Sequence, residues 1–386
     1  MKGIISKMEE KNINNASRKA GNILLSVKKR LIISLIFTFL GAGGLIAARC
    51  SSDFADFYGF TIYPVIVNIF GRISDIFPFS LGEIIVILAA LLLLTGIVYF
   101  IVQLIRRKGK RKRFLLSSAA TLLTTLSTVL FVFTYSCGIN YQRKPFSAFS
   151  GLTVEKYSKE QVCEVLLYVI GEVNRLSDEV ELDENSLCIV PEDITKRASA
   201  AMNKLSESYP ALKSYYPDAK PVMLSELMCY GQIVGIFSSF SMEANYNTMD
   251  TTENMGHTIC HELSHMSGFM REDEANFISY LACRDSGDTY LEYSGGFAAM
   301  IYLLNAFYPE ATGEEYAFVY SLIPECAKIQ NQERAVFWDK YDTDFGEAAE
   351  AINDVYLKIN DQTDGTKSYG RVVDLIIADY YKNIKN

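Results

Sequence analysis

The chain has 386 residues, a formal net charge of −8 and a hydrophobic content of 49%. This length is sufficient for more than one domain. Beyond residue 136 there are 20 basic and 39 acidic side chains, and a surface of this sign argues against nucleic-acid binding. The eight cysteines include no CxxC pair, which excludes zinc-finger and thioredoxin-like sites and leaves the disulfide pattern open.

Apolar residues concentrate in nearly uncharged stretches near the N-terminus. The three stretches are 31–48, 84–105 and 114–135. Each is close to the length of about 20 residues that an α-helix needs to cross a bilayer. The sequence therefore predicts three transmembrane helices. The predicted organisation is a cytoplasmic segment 1–30, a membrane domain 31–136 and a C-terminal domain 137–386.

The basic residues predict the orientation of these spans. Residues 1–30 carry eight Lys/Arg and two acidic side chains, and the loop 106–113 is basic at every position except Gly109. The loop 49–83 carries two basic and four acidic residues. Lys and Arg are retained on the cytoplasmic side, so we expect a cell-membrane protein with its N-terminus in the cytoplasm and its C-terminal domain outside. Cleavage of the first span as a signal peptide would leave the rest unchanged.

The stretch 54–78 is aromatic and apolar but is interrupted by Gly59, Pro64 and Arg72. It is too broken for a predicted span. Two alternatives remain open, namely an amphipathic helix lying on the outer leaflet and a segment packed on the C-terminal domain.

The C-terminal domain has the pattern of a helix-rich α+β fold. Ser158 and Gln161 predict a capping box before a helix that continues to about residue 182. Short runs of β-formers predict two or three strands within 221–247. The other predicted helices are 192–208, 251–267, 273–285, 294–307, 314–330, 345–359 and 369–383.

All three histidines of the chain lie within nine residues, in the run HTICHELSH. His261 and His265 are four residues apart, so a helix projects both imidazoles from one face at the separation that one metal ion requires. Glu262 follows the first of them in this HExxH pattern. Its carboxylate is expected beside the metal without ligating it, as a general base that takes a proton from the activated water.

A zinc ion held by two imidazoles needs a third protein ligand and keeps one position open. Glu272 and Glu274 begin the next predicted helix, and helical geometry separates them by about 200°, so at most one of them faces the metal. His257, one turn before His261, is the remaining alternative to a carboxylate ligand.

The run EDEANFISYLA, which follows HELSH, resembles the HExxH metallopeptidases in which a second helix supplies a glutamate ligand. It is especially similar to the ExxANxFA signature of the ImmA/IrrE-like metallopeptidases. The resemblance implies that Glu272 is the third ligand and that Asn276 contacts an imidazole and orients it. Glu274 would then point elsewhere, and it stays the alternative ligand. The connection before this helix is short and contains Gly268. A metzincin would place a third histidine at Arg271, which cannot ligate a metal.

The whole chain also resembles a family of bacterial membrane proteins catalogued only as a domain of unknown function. The similarity rests on the three spans, the segments PFSLGE and GIFSSFSMEANYN, and the pair HELSH and EDEANF. Together these resemblances imply three transmembrane α-helices followed by an α+β, helix-rich zincin-like domain with a small β-sheet.

The expected function is zinc-dependent hydrolysis of a peptide or protein substrate outside the membrane, with the strand region 235–247 aligning the substrate. The expected partners are this substrate and the lipid bilayer, without nucleic acid. The alternative is a zinc-binding ectodomain that acts as a non-catalytic sensor or scaffold. The sequence does not choose among the candidates for stabilising the oxyanion, which are Tyr246, Tyr280, Tyr290, Tyr293 and Arg371.

Overall fold

The computed structural model describes residues 2–360 and 369–385. In chain order, the helices are α1 Lys2–Cys50, α2 Ser52–Thr61, α3 Tyr63–Asp75, α4 Leu81–Arg106, α5 Arg111–Ser136, α6 Phe146–Ser150, α7 Lys159–Ser177, α8 Ile194–Ser208, α9 Ser225–Tyr230, α10 Met255–His265, α11 Glu272–Arg284, α12 Thr289–Phe307, α13 Gly313–Ser321, α14 Glu325–Asp339, α15 Asp344–Ile359 and α16 Tyr369–Asp379. Single 3-10 turns cover Gly138–Gln142 and Pro210–Leu212, and a π-helical turn covers Tyr380–Ile384.

The chain divides into two compact units. One comprises Met1–Cys50 with Ile85–Ser136, and the other comprises Ser51–Ile84 with Cys137–Asn386. We call them the apolar unit and the site unit. The sequence-based division placed 31–136 in one membrane domain, whereas the structure groups residues 51–84 with the C-terminal domain. The reason is that α2 and α3 bury one face of their surface within the site unit.

The apolar unit consists of long helices with exposed apolar side chains. Helices α1 and α5 pack along each other, and the Arg30 guanidinium donates hydrogen bonds to Thr121 Oγ1 at 2.7 Å and to the Ser117 carbonyl at 3.2 Å. Four segments of the described chain are long and apolar enough to cross a membrane, namely Leu24–Cys50, Ser52–Asp75, Leu81–Arg106 and Arg111–Ser136. Membrane anchoring by several N-terminal apolar helices is therefore supported by length and composition.

Helices α2 and α3 are amphipathic. Tyr63 and Val67 of α3 are fully buried in the site unit, whereas Ile69 and Ile73 are about half exposed. Pro64 lies in the first turn of α3, where its missing N–H has no helical partner to lose. Of the two alternatives for this stretch, packing on the C-terminal domain accounts for its buried face.

The site unit is helix-rich and carries one small sheet. Strands β1 Lys220–Pro221, β2 Gly235–Ser238 and β3 Glu243–Tyr246 have the order β1-β3-β2, with β1 parallel and β2 antiparallel to β3. Strand β2 is therefore an edge strand of the described sheet. The prediction of a small sheet just before the HELSH helix is confirmed.

The long predicted helices of the C-terminal domain are present except at one place, whereas the short helices α6 and α9 were not predicted, and α9 lies in the region 221–247 predicted to form strands. The capping box of Ser158 and Gln161 is present at the start of α7. The single predicted helix 314–330 is wrong, because the chain breaks before Pro324 and forms α13 and α14. Proline has no N–H for a helical hydrogen bond, and it disfavours helical geometry in the residue that precedes it.

Helix α10 occupies the centre of the site unit. It packs against α8, α11, α12 and β3, and its residues Ile259, Cys260 and Leu263 are fully buried. Helix α11 packs in turn on α12 and α16. All eight cysteines are free thiols. Helix α10, which carries the HELSH residues, is thus packed on several sides, and this packing restricts the orientations of its side chains.

Candidate metal centre

Three potential ligands converge between α10 and α11. His261, His265 and Glu272 each offer one ligand atom, and these atoms lie within 4.8 Å of one another. His261 Nε2 is 3.1 Å from Glu272 Oε2, and His265 Nε2 is 4.0 Å from Glu272 Oε1. The two histidines are one helical turn apart on α10, and Glu272 is the first residue of α11.

The other ring nitrogen of each histidine is held by an oxygen atom. His261 Nδ1 donates to Asn276 Oδ1 at 2.7 Å, and His265 Nδ1 donates to the Phe269 carbonyl at 2.8 Å. A proton on Nδ1 leaves the Nε2 lone pair of a neutral imidazole directed at the shared space. Two such imidazoles and one carboxylate are the donor set of an open zinc site, so these residues fit the ion.

The turn after α10 supplies the carbonyl that orients His265. Gly268 has φ +83°, a backbone conformation that favours glycine. This turn brings the Phe269 carbonyl back to the imidazole one turn earlier. The sequence indicated the turn through Gly268 but not the role of Phe269, because a backbone oxygen leaves no residue-type signal.

Arg143 and Tyr63 hold this turn from the other side. Arg143 Nη1 donates to the Ser267 carbonyl at 2.9 Å, and the Tyr63 hydroxyl donates to the His265 carbonyl at 3.2 Å. Both side chains are almost completely buried. The amphipathic segment of α2 and α3 is thus part of the framework that positions the candidate ligands, a role that no local sequence pattern indicated.

Glu262 lies between the candidate ligands and the edge strand. A Cβ atom added at Gly235 would be 2.6 Å from Glu262 Oε1, so only glycine lets the strand backbone approach this carboxylate. The Phe237 backbone also donates a hydrogen bond to Glu262. Burial raises the pKa of Glu262 to about 8, against the opposing effect of the nearby His261 charge.

The charges of the cluster favour a cation between the imidazoles and the carboxylate. Burial alone would lower the pKa of His261, but the hydrogen bond to Glu272 and the Glu262 charge raise it to about 9. Burial opposes ionisation of Glu272, yet its contacts with His261 and His265 bring its pKa below the ordinary value. Glu272 is therefore an ionised carboxylate. An ion placed here would replace the proton that His261 and Glu272 share.

The other acid, Glu274, points away from the cluster. Its Oε1 accepts the Phe146 backbone N–H at 2.9 Å and lies 3.4 Å from Arg271 Nη1. Burial raises the pKa of Glu274 to about 7. Glu274 thus fixes the start of α6, and Glu272 alone of the two acids joins the two histidines.

His257 lies outside the cluster as well. Its ring packs edge-on against Tyr302, and its side chain is buried. Burial lowers the pKa of His257 to about 3, so the imidazole is neutral. The Ser279 hydroxyl donates to the His257 carbonyl at 2.6 Å. These contacts join α10 to α11 and place His257 among the supporting residues.

Most of the tyrosine and arginine candidates for an oxyanion donor are engaged elsewhere. Tyr290 donates to the Thr252 carbonyl, Tyr293 donates to Gln330, the Arg284 guanidinium lies over the Tyr280 ring, and Arg371 pairs with Asp273. Two tyrosines that the sequence did not single out, Tyr141 and Tyr356, are influenced by the Glu272 charge. The Tyr141 hydroxyl donates to the Tyr356 hydroxyl at 3.1 Å, and burial raises the pKa of both, with smaller contributions from Cys137 and Glu272.

The comparison with protein families gives one match. The model of a family described as "Protein of unknown function (DUF3810)" covers residues 58–377. The chain belongs to this family. No curated protein and no solved structure gives a match. The region shared with DUF3810 includes α10 and α11, and it also includes α4, α5 and all of α3.

Proposed function

We propose that this DUF3810 protein is a membrane-anchored, zinc-dependent metallopeptidase that hydrolyses peptide bonds outside the cytoplasmic membrane. One observation carries the proposal. The ligand atoms of His261, His265 and Glu272 lie within 4.8 Å of one another, and Glu262 is held beside them against an edge strand. The arrangement combines a set of metal ligands, a general base and an edge strand along which an extended peptide can pair.

A zinc ion in this donor set supplies Lewis-acid activation of water and of the scissile carbonyl. Glu262 takes a proton from the attacking water as the water oxygen bonds to the carbonyl carbon. When the carbon–nitrogen bond breaks, Glu262 passes that proton to the leaving amine. Strand β2 aligns the substrate by backbone pairing along its open edge. The net reaction adds one water molecule across the amide bond.

The burial of Glu262 supports a catalytic over a purely structural site. A structural zinc site needs its ligands but not a neighbouring carboxylate that ligates nothing. Burying a carboxyl group disfavours folding unless its interactions compensate. Glu262 is nevertheless 5% exposed, and Gly235 leaves the space that this carboxylate occupies. The alternative of a non-catalytic sensor or scaffold gives no reason for this arrangement.

The test is the variant Glu262→Gln in the purified full-length protein. We expect it to retain zinc and to lose peptide cleavage by about 10²–10⁴-fold, the contribution of a positioned acid–base group. Glu184→Gln, at an exposed position, is the matched control and should cleave like the wild type. Equal cleavage by Glu262→Gln and wild type would remove the catalytic proposal and favour the sensor or scaffold.

The proposed localisation is a bacterial cell membrane, with the three predicted spans crossing it and the site unit outside. If Ser52–Asp75 also crossed and the N-terminus stayed inside, the basic loop 106–113 would lie outside, against the retention of Lys and Arg in the cytoplasm. The burial of Tyr63 and Val67 within the site unit also argues against a fourth span.

Reporter fusions test this topology. A phosphatase fused after residue 150 should be active because it is exported, and the same enzyme fused at Gly109 should be inactive because the basic loop remains inside. The reverse pattern, or an inactive reporter at both positions, would contradict the proposed orientation.

A further inference from the structure

Two sequence segments that the metal centre does not use meet at the start of α4. Glu243 of β3 is 1% exposed, and its carboxylate accepts the backbone N–H groups of Leu81 at 3.1 Å and Gly82 at 2.7 Å. A carboxylate at this place satisfies helical donors that have no partner inside the helix, and it interacts favourably with the helix dipole. The segments PFSLGE and SMEANY are therefore in direct contact with each other.

The contact is reciprocal. The Glu83 carboxylate, in the first turn of α4, accepts the backbone N–H groups of Met223 at 2.9 Å and Leu224 at 2.8 Å. A Cβ atom added at Gly82 would be 2.7 Å from Ser238 Cβ. The first turn of α4 is thus in direct contact with β2 at its Ser238 end, within the site unit.

The opposite end of β2 is in contact with the candidate general base. A Cβ atom at Gly235 would be 2.6 Å from Glu262 Oε1, and β2 runs from Gly235 to Ser238. Three steps along a strand cover about 10 Å. The carboxylate of Glu262 is consequently on the order of 10 Å from the first turn of α4, measured along the strand.

In the proposed topology, this distance is an upper limit on the separation between Glu262 and the point where α4 enters the bilayer. Helix α4 has 26 residues, and no residue of its most apolar window is buried in protein. Its uncharged stretch starts directly after Glu83, so the membrane surface lies at the first turn. The connection from Cys50 to Leu81 also exposes apolar side chains. The members that are half exposed or more are Phe57, Val65, Ile69, Phe70 and Ile76.

We propose that the substrates are membrane-anchored polypeptides, cut in the extended stretch that directly adjoins their own membrane segment. This inference rests on the proposed function. A chain paired with β2 and leaving the bilayer at the Ser238 end reaches Glu262 after about three residues. A scissile bond about 3–6 residues from the membrane segment therefore fits this distance.

The test uses the full-length protein in proteoliposomes with two peptide libraries. In the first library, a random stretch of about 12 residues adjoins a synthetic membrane-spanning helix, and in the second the same stretch is soluble. Mass spectrometry maps the cuts that the wild type makes and that Glu262→Gln does not. We expect cuts about 3–6 residues from the span and at least a tenfold lower rate on the soluble library.

A third library is the matched control. It places a spacer of about ten residues, which extends to roughly 33 Å, between the span and the random stretch. Cleavage of the random stretch should then fall at least tenfold. Equal Glu262-dependent rates on all three libraries would overturn the membrane-proximal substrate and leave the peptidase standing. The absence of Glu262-dependent cleavage from every library would contradict the proposed function and this inference with it.

Discussion

The two compact units differ in the side chains that they expose and in the polar side chains that they bury. In the apolar unit, Leu35 and Leu92 are 72% and 71% exposed, which water would disfavour and lipid would not. In the site unit, Glu262, Ser264 and Asn276 are at most 5% exposed. Buried polar groups are stable where they have hydrogen-bond partners. The difference indicates that lipid surrounds the apolar unit and that water surrounds the site unit. Within the site unit, the buried polar groups converge at the candidate metal centre.

The largest effect that this contrast predicts concerns the two neighbouring acids of α11. Glu272→Gln should weaken zinc binding by orders of magnitude, because a neutral amide replaces the ionised carboxylate between the imidazoles. Glu274→Gln should spare zinc binding, because Glu274 contacts Phe146 and Arg271 instead. Asn276→Ala should act in between, about 10–100-fold, since it removes the acceptor for His261 Nδ1.

Competition with a zinc chelator measures these affinities in the purified full-length protein. His261→Ala, which removes an imidazole outright, serves as the reference for a lost ligand. Equal affinity for the wild type and Glu272→Gln would place the metal elsewhere, and a greater loss in Glu274→Gln would exchange the roles of the two acids.

A second prediction compares two equally exposed apolar positions, one in each unit. Leu92 in the centre of α4 and Ile352 on α15 are both 71% exposed. Leu92→Arg should disfavour membrane insertion by about 3 kcal/mol, because an arginine at the centre of a span is exposed to lipid. Ile352→Arg should have almost no effect, because water already solvates that surface. Resistance of the protein to alkaline extraction from membranes measures the difference, and equal extraction of both variants would mean that α4 does not cross the bilayer.

The sequence predicted the parts of the site that are local along the chain. The spacing of His261 and His265 depends only on helical periodicity, whereas the choice of Glu272 over Glu274 came from the resemblance of EDEANF to metallopeptidases with a glutamate on the second helix. The contacts of Arg143, Phe269 and Tyr356 depend on the tertiary fold. These contacts join segments far apart in the chain or use a backbone atom. Composition and periodicity therefore do not predict them.

The fold shows the same limit. The capping box at Ser158 is a contact between residues three positions apart, and it was predictable. The capping of α4 by Glu243 is equally specific, yet its donors lie in another part of the chain, at Leu81 and Gly82. Both segments stood out in the sequence, but nothing in the sequence predicted that they contact each other. Amphipathic α2 and α3 were ambiguous for a related reason, since periodicity does not tell whether protein or lipid covers a face.

The last prediction concerns a pH-dependent stability at Glu274. Burial raises the pKa of this carboxyl group from 4.5 to about 7 in the folded protein. Between these pH values the unfolded chain releases the proton while the folded protein retains it, so the free energy of unfolding falls as pH rises. The loss is complete by about pH 8 and amounts to at most about 3.5 kcal/mol, at about 1.4 kcal/mol for each pKa unit.

Glu274→Gln cannot ionise and should not show this loss, while its side-chain oxygen can still accept the Phe146 N–H. The melting temperature of the variant, relative to that of the wild type, should therefore rise by a few degrees between pH 5 and pH 8. Both proteins are compared in the same detergent with a chelator present, so that titration of the candidate ligands contributes equally. Glu184→Gln, at an exposed position, should keep a constant difference from the wild type. A constant difference for Glu274→Gln as well would show that Glu274 is already ionised at pH 5, because the Arg143 and Arg271 charges then outweigh the effect of burial.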